Sequence, residues 1–196
     1  RSGLYPLPLP SGVGTEAAGV VESVGAGVAD FKAGDRVVYG SGAPGAYADL
    51  RIMPADRLLK IPDGVSDDNA AALLMKGMTA EYLLNRCYAL KAGEFALFYA
   101  AAGGVGLLAG QWGRHLGARL IGVASGADKC RAALDNGYFA VIDRSREDIA
   151  ARVRDITGGA GVSSANGGDA GSVTIATAGA TADITISNTL AVKGGL

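Results

Sequence analysis

The sequence predicts an α/β protein in which a β-rich first unit is followed by a parallel, doubly wound sheet. Three observations predict it. Turn signals cut residues 6–62 repeatedly at short spacing. Apolar strands alternate with helical stretches over about 65 residues from Glu94 onward. A glycine cluster, Gly103-Gly104-Val105-Gly106, lies between the first of those strands and the helix after it. Short strands at the first spacing indicate a compact all-β unit of barrel or sandwich type. Strand–helix alternation indicates parallel pairing through helical crossovers.

In the first unit the turns are Pro10-Ser11-Gly12, Gly25-Ala26-Gly27, Ala33-Gly34-Asp35, Gly40-Ser41-Gly42 and Pro62-Asp63-Gly64. The Val-rich runs between them, Gly19–Val24 and Arg36–Tyr39, read as strands. At Ser66 the pattern changes. Asp67, Asp68 and Asn69 precede the apolar run Ala70–Met75, and acidic residues in a first turn favour the positive end of a helix dipole. A helix from about Asp67 to Met75 is expected, with helix formers continuing from Thr79 to Leu84. A turn at Lys91–Glu94 then leads into a strand over Phe95–Tyr99, a helix over Gly104–His115 and a strand over Arg119–Ala124. A helix over Asp128–Asn136, a strand over Phe139–Ile142 and a helix over Glu147–Thr157 complete the series.

These readings divide the chain into a β-rich unit over 1–75, a dinucleotide-binding unit over 76–162 and an atypical tail over 163–196. The tail carries only Asp169, Asp183 and Lys193 as charges, and no aromatic residue follows Phe139. Val173–Ile175 and Ile184–Ile186 alternate with period two, which predicts a hairpin around Gly179. A doubly wound sheet calls instead for a buried apolar strand after Gly158–Gly161.

Composition narrows the function classes. Lys plus Arg is 18 against 19 Asp plus Glu, a formal charge of -1, so the basic footprint of a nucleic-acid or acidic-membrane binder is missing. The chain has 31 Gly and 36 Ala, about a third of its residues, yet 49 % hydrophobic and 19 % charged content is globular rather than disordered. The longest uncharged stretch, Phe95–Gly113, has 19 residues but contains five glycines and Gln111, and reads as strand, turn and helix, not a membrane span. Cys87 and Cys130 form no C-x-x-C pair, which argues against a disulfide framework and for a reducing, cytoplasmic setting.

The glycine cluster has two readings. One is a tight strand-to-helix turn in a glycine-rich chain. The other is a phosphate-approach loop, in which Gly103 and Gly104 admit a pyrophosphate to the backbone, Gly106 lets helix pack on strand, and the helix N-terminus receives the charge. The strand before it and the helix and strand after it are the context the second reading requires. The first glycine of the usual G-x-G-x-x-G pattern is replaced by Ala101.

An NAD-selective site places Asp or Glu after the second strand, about 20 residues past the loop, to hold the ribose 2'-hydroxyl. Here Ile121–Gly126 carries no acid, and Ser125 is followed one helical turn on by Lys129. An anionic 2'-phosphate is better received there, so NADP(H) is expected over NAD(H). Lys129 reads equally as a solvated helix lysine, and Arg144, after the third strand, reads as a second phosphate cation or as a surface arginine.

Residues for other chemistries are scarce. His115 is the single histidine, so neither a His/Cys zinc site nor a Ser-His-Asp or Cys-His relay can be assembled from sequence. Cofactor-borne chemistry remains. Hydride transfer to an electron-poor acceptor such as a quinone needs no strong protein acid, because the hydroquinone anion is a stable product.

Ser2–Pro6, Gly14-Thr15-Glu16-Ala17-Ala18-Gly19, Ala33-Gly34-Asp35-Arg36-Val37, Gly45-Ala46-Tyr47, Lys76-Gly77-Met78-Thr79-Ala80, Ala100–Gly106 and Leu116-Gly117-Ala118 together resemble the zinc-free, ζ-crystallin-like quinone oxidoreductases of the medium-chain dehydrogenase/reductase superfamily. The resemblance runs in unbroken order through residues 1–162. Zinc-dependent relatives carry His where Thr15 stands. The resemblance implies a GroES-like catalytic domain joined to a Rossmann domain, NADPH in the cleft between them, one- or two-electron reduction of quinones, and a homodimer; the substrate expected is a small quinone or enone. By position it implies Thr79 near the nicotinamide, Ala102, Gly103, Gly104, Val105 and Gly106 at the pyrophosphate, and Ser125, Lys129 and Arg144 at the 2'-phosphate. Tyr5 is implied to line the acceptor pocket, or else to anchor the N-terminal loop, and Arg144 stands where relatives carry Tyr. Two departures accompany it. Members of the family have a further segment before the position of Arg1, and residues 163–196 resemble no part of the family. Beside the quinone reductase stand two other readings: an enoyl or alkenal reductase of the same superfamily, and a catalytically silent binding module or fragment.

Overall fold

A computed structural model describes residues 7–162. The chain divides into two compact units, with the division between Lys76 and Gly77. Tyr5 and the expected hairpin around Gly179 lie outside the described residues.

The first unit contains a three-stranded antiparallel sheet of β1 (Ala17–Val20), β2 (Arg36–Tyr39) and β3 (Leu59–Lys60), in that order. Ala17 pairs with Tyr39 and Val37 with Lys60. Val38 and Ile61 form its small core with Ala70 of helix α1 (Asp67–Glu81). Arg36 ties that helix to β2. Its Nε and Nη2 donate to Asp67 Oδ1 at 2.9 and 2.6 Å, and Nη2 donates also to Val65 O at 2.7 Å. Ser66 caps the helix, its Oγ accepting from Asn69 N–H at 3.2 Å. The helix continues past Met75 to Glu81 and passes into a π-helical turn over Tyr82–Cys87, because Lys76–Glu81 contain no proline or turn pair to stop it.

The second unit is built on a parallel sheet in the order β4 (Phe95–Tyr99), β5 (Arg119–Ala124), β6 (Ala140–Asp143). Helices α2 (Gly104–His115) and α3 (Ala127–Asp135) make the crossovers, and α4 (Ile149–Ile156) follows β6. Each strand succeeds its neighbour in space, the first half of a doubly wound sheet. Central β5 is covered on both faces. Leu120, Ile121, Val123 and Ile142 are fully buried, each contributing about 1.5–3 kcal/mol relative to exposure.

Close approach of α2 to the sheet depends on glycine. A Cβ at Gly113 would meet Leu120 Cδ1 at 2.5 Å, and one at Gly110 would meet Asn136 O at 2.5 Å and the Tyr138 ring at 2.6 Å. On β5, a Cβ at Gly122 would lie 2.9 Å from the same ring. The Tyr138 side chain fills the space these glycines leave, with its edge toward Phe98 at 6.4 Å between centroids. Gly110→Ala should therefore cost about 2 kcal/mol or more, whereas Gly25→Ala, where a Cβ would meet nothing within 4 Å, should change stability by less than about 0.5 kcal/mol. Denaturant unfolding of both variants checks the contrast.

Candidate functional site

Three loops leave the carboxyl ends of three adjacent parallel strands: residues 100–103 after β4, 125–126 after β5 and 144–148 after β6. In a parallel sheet this edge is where ligands bind, since the helices that follow point their N-termini at it.

The first loop opens at Ala100, whose φ of +53° is the one positive value at a non-glycine among the described residues. That conformation costs an alanine about 1 kcal/mol. It turns the Ala100 carbonyl to accept from Gly103 N–H at 2.8 Å. Gly106 has to be glycine, because a Cβ there would lie 2.4 Å from Ala100 O and 2.6 Å from Ala101 O. The first intrahelical bond of α2 runs from Leu107 N–H to Gly103 O at 2.9 Å, which leaves the amides of Gly104, Val105 and Gly106 without an acceptor in the helix. The N-cap, Gly103, has no side chain to cap them, and Gly103 and Gly104 are exposed. The result is an open helix N-terminus with donors for an anion. Ala102 lies in the same turn, half-buried.

At the second and third loops, Arg144 Nε donates to Ser125 Oγ at 2.6 Å. Arg144 N–H donates to Ala124 O at 3.0 Å, continuing the pairing of β5 with β6. Beneath them, Asp143 Oδ1 accepts from Gly126 N–H at 3.1 Å, Ser145 N–H at 3.0 Å and the Ser145 hydroxyl. The Ser145 hydroxyl first, then the two amides, hold the Asp143 carboxyl below its usual value. Its stabilising effect is full above the ordinary value of 3.8 and is lost as pH falls through the lowered folded value. Lys129, in the first turn of α3, is exposed and makes no hydrogen bond or ion pair among the described residues.

The expected residues thus fall into groups. Gly103–Gly106 form the helix start, and Ser125 and Arg144 are in direct contact. Thr79 lies half-buried on α1. Two residues went unpredicted. The buried Tyr138 hydroxyl donates to Gly106 O at 2.8 Å, holding the first turn of α2, and burial pushes its phenol well above the ordinary value. The second is Asp143. Its signal in the sequence is the Asp143-Arg144-Ser145 spacing of an Asx turn; that of Tyr138 is the glycine spacing 106, 110, 113 along one helix face.

In the first unit, Gly14–Ala18, Ala46, Tyr47 and Ala71 line a recess of about 460 Å³. Its Glu16 has Oε1 3.4 Å from Lys76 Nζ, and Oε2 buried without a hydrogen-bond partner. Among the described residues no group of three or more His, Cys, Asp and Glu could hold a metal ion. None of their helices is long and apolar enough to cross a membrane.

Comparison with known proteins agrees with this architecture. The alcohol dehydrogenase GroES-like domain family matches residues 1–63, and the family described as zinc-binding dehydrogenase matches residues 104–187. A quinone oxidoreductase of Pseudomonas aeruginosa is 51% identical over 160 residues, 81% of this chain and 49% of that protein. The chain belongs to the medium-chain dehydrogenase/reductase superfamily and is similar to its quinone oxidoreductases. The crystal structure of Escherichia coli quinone oxidoreductase complexed with NADPH superposes with a TM-score of 0.79 at 52% identity, covering 83% of this chain and 50% of that one. A 2-haloacrylate reductase from Burkholderia sp is 45% identical over 169 residues, 83% of this chain and 50% of that protein. The chain spans about half the length of these relatives.

The first loop makes a stability prediction independent of any ligand. Ala100→Gly should change stability by no more than about 1 kcal/mol, in the stabilising direction, since relief of the strain is partly offset by glycine entropy. Gly106→Ala should cost more than about 2 kcal/mol, because its clash is with backbone. Thermal midpoints of the two variants read the difference.

Proposed function

We propose that this chain carries the cofactor-binding part of an NADPH-dependent reductase that moves hydride to a quinone without a metal. The observation that carries the reading is the Arg144–Ser125 contact at the end of β5, where an NAD-selecting enzyme would hold an acid. With Nε committed to Ser125, the two terminal guanidinium nitrogens of Arg144 are left for the bidentate grip that a phosphate takes. Lys129 adds a second cation to the same edge, and the amides of Gly104–Gly106, which have no acceptor in the helix, suit the pyrophosphate. These residues fit NADPH better than NADH.

Bound NADPH supplies the hydride, and the protein's work is placement. Gly103 and Gly104 admit the pyrophosphate to the backbone, Thr79 orients the nicotinamide, and Tyr5 lines the acceptor pocket. Thr15, where zinc-dependent relatives have His, supports the metal-free reading. A quinone needs no acid from the protein to complete its reduction. The resemblance further implies a homodimer. A second reading, reduction of a double bond activated by a conjugated carbonyl, is favoured by the 45% identity to the 2-haloacrylate reductase.

Trp112 lies about 12 Å along α2 from Gly104 and serves as a reporter. Titration with NADPH should quench its fluorescence, NADH should bind more weakly, and Lys129→Glu should weaken NADPH by about tenfold or more while NADH changes little. Equal binding of the two nucleotides by the wild-type chain would overturn the cofactor reading. NADPH consumption with a benzoquinone against an enone separates the two acceptor classes.

A further inference from the structure

Two loops meet at Asp143. One of its carboxylate oxygens accepts from Gly126 of the β5–α3 turn and from both the amide and hydroxyl of Ser145 in the β6–α4 turn. The neighbour of Asp143 in sequence is Arg144, and the neighbour of Gly126 is Ser125, so the clasp and the Arg144–Ser125 contact are successive rungs between the same two turns. The Asp143 amide is also held, donating to Glu147 Oε2 at 2.8 Å. Gly126, at φ +86°, cannot be replaced by an ordinary residue without strain, and α3 has no side-chain cap of its own. The turns that carry Ser125 and Arg144 are thus tied to each other through the Asp143 carboxylate, in addition to the Arg144 N–H bond to Ala124 O.

We propose that Asp143 is a positioning residue for 2'-phosphate discrimination, locking Gly126 and Ser145 around its carboxylate so that the Arg144 guanidinium is seated on Ser125. The inference rests on the NADPH reading given above. Asp143 does not touch the phosphate; it holds the cation that does. A carboxylate so near an anion site would by charge alone disfavour the phosphate, so geometry and charge predict opposite signs. Loss of the clasp should weaken a 2'-phosphorylated ligand, whereas loss of the charge alone should leave its binding intact or tighter.

The test uses 2',5'-ADP, which carries the 2'-phosphate, and 5'-AMP, which lacks it, titrated calorimetrically into the chain. Asp143→Ala should weaken 2',5'-ADP by about tenfold and AMP by less than about twofold. Asp143→Asn keeps an acceptor oxygen without the charge, and should stay within about threefold of wild type for both. Should Asp143→Ala fail to fold, Ser145→Ala removes one donor of the clasp and should give a smaller loss confined to 2',5'-ADP. Equal weakening of both ligands in Asp143→Ala, or in Ser145→Ala if that variant has to serve, would overturn the proposal, as would tighter 2',5'-ADP binding by both Asp143 variants. A wild-type chain indifferent to the 2'-phosphate would sink the NADPH reading and this inference with it; a wild-type preference with unselective variants sinks this inference alone.

Discussion

The second unit depends on how closely α2 lies on the strands beneath it. At Gly106, Gly110, Gly113 and Gly122 a single Cβ would sit 2.4 to 2.7 Å from a backbone or side-chain atom, so no other residue allows this distance. Tyr138 occupies the space between α2 and β5, and its hydroxyl reaches Gly106 O in the first turn of the helix. Burying a phenol is costly unless it is bonded, and here the bond fixes the turn whose amides face the loop. Packing and site geometry are therefore one constraint. The open helix start exists where it does because the helix behind it cannot slide.

Charge is arranged on that rigid edge with little excess. The chain as a whole is almost neutral, so no long-range field draws in a nucleotide. On the proposed reading, selectivity falls to local groups: amides at the start of α2, and the Arg144–Ser125 pair across two neighbouring turns. Arginine suits this place better than lysine, because one face of its fork is held by Ser125 while the other stays available. A tyrosine at this position would offer one hydroxyl; arginine adds charge, which strengthens each hydrogen bond to a phosphate.

Much of this was legible in the sequence because it is local. The ends of α2 and β5 fall at Gly104, His115, Arg119 and Ala124, where glycine, the basic last turn and Val/Ile content predict them. Elsewhere the ends moved for identifiable reasons. Helix α1 runs on to Glu81 because nothing after Met75 stops it, and α4 starts at Ile149 because Asp148 caps it, accepting from Ala151 N–H at 2.7 Å. What escaped was long-range. Tyr138 finds Gly106 across 32 positions, and Asp143 finds Gly126 across 17, and the local spacings at 106, 110, 113 and 143–145 do not name those distant partners. From the sequence Arg144 reads equally as a surface arginine, and its contact with Ser125 follows only from the pairing of β5 with β6.

On the proposed reading, the loops after β4, β5 and β6 form one nucleotide site. Amide chemical shifts of the isotopically labelled chain, followed during titration with NADP+, test it most directly. The largest changes should fall together at Gly103–Gly106, Ser125–Gly126 and Arg144–Ser145. Changes confined to one loop, or scattered over both units without these residues, would contradict it.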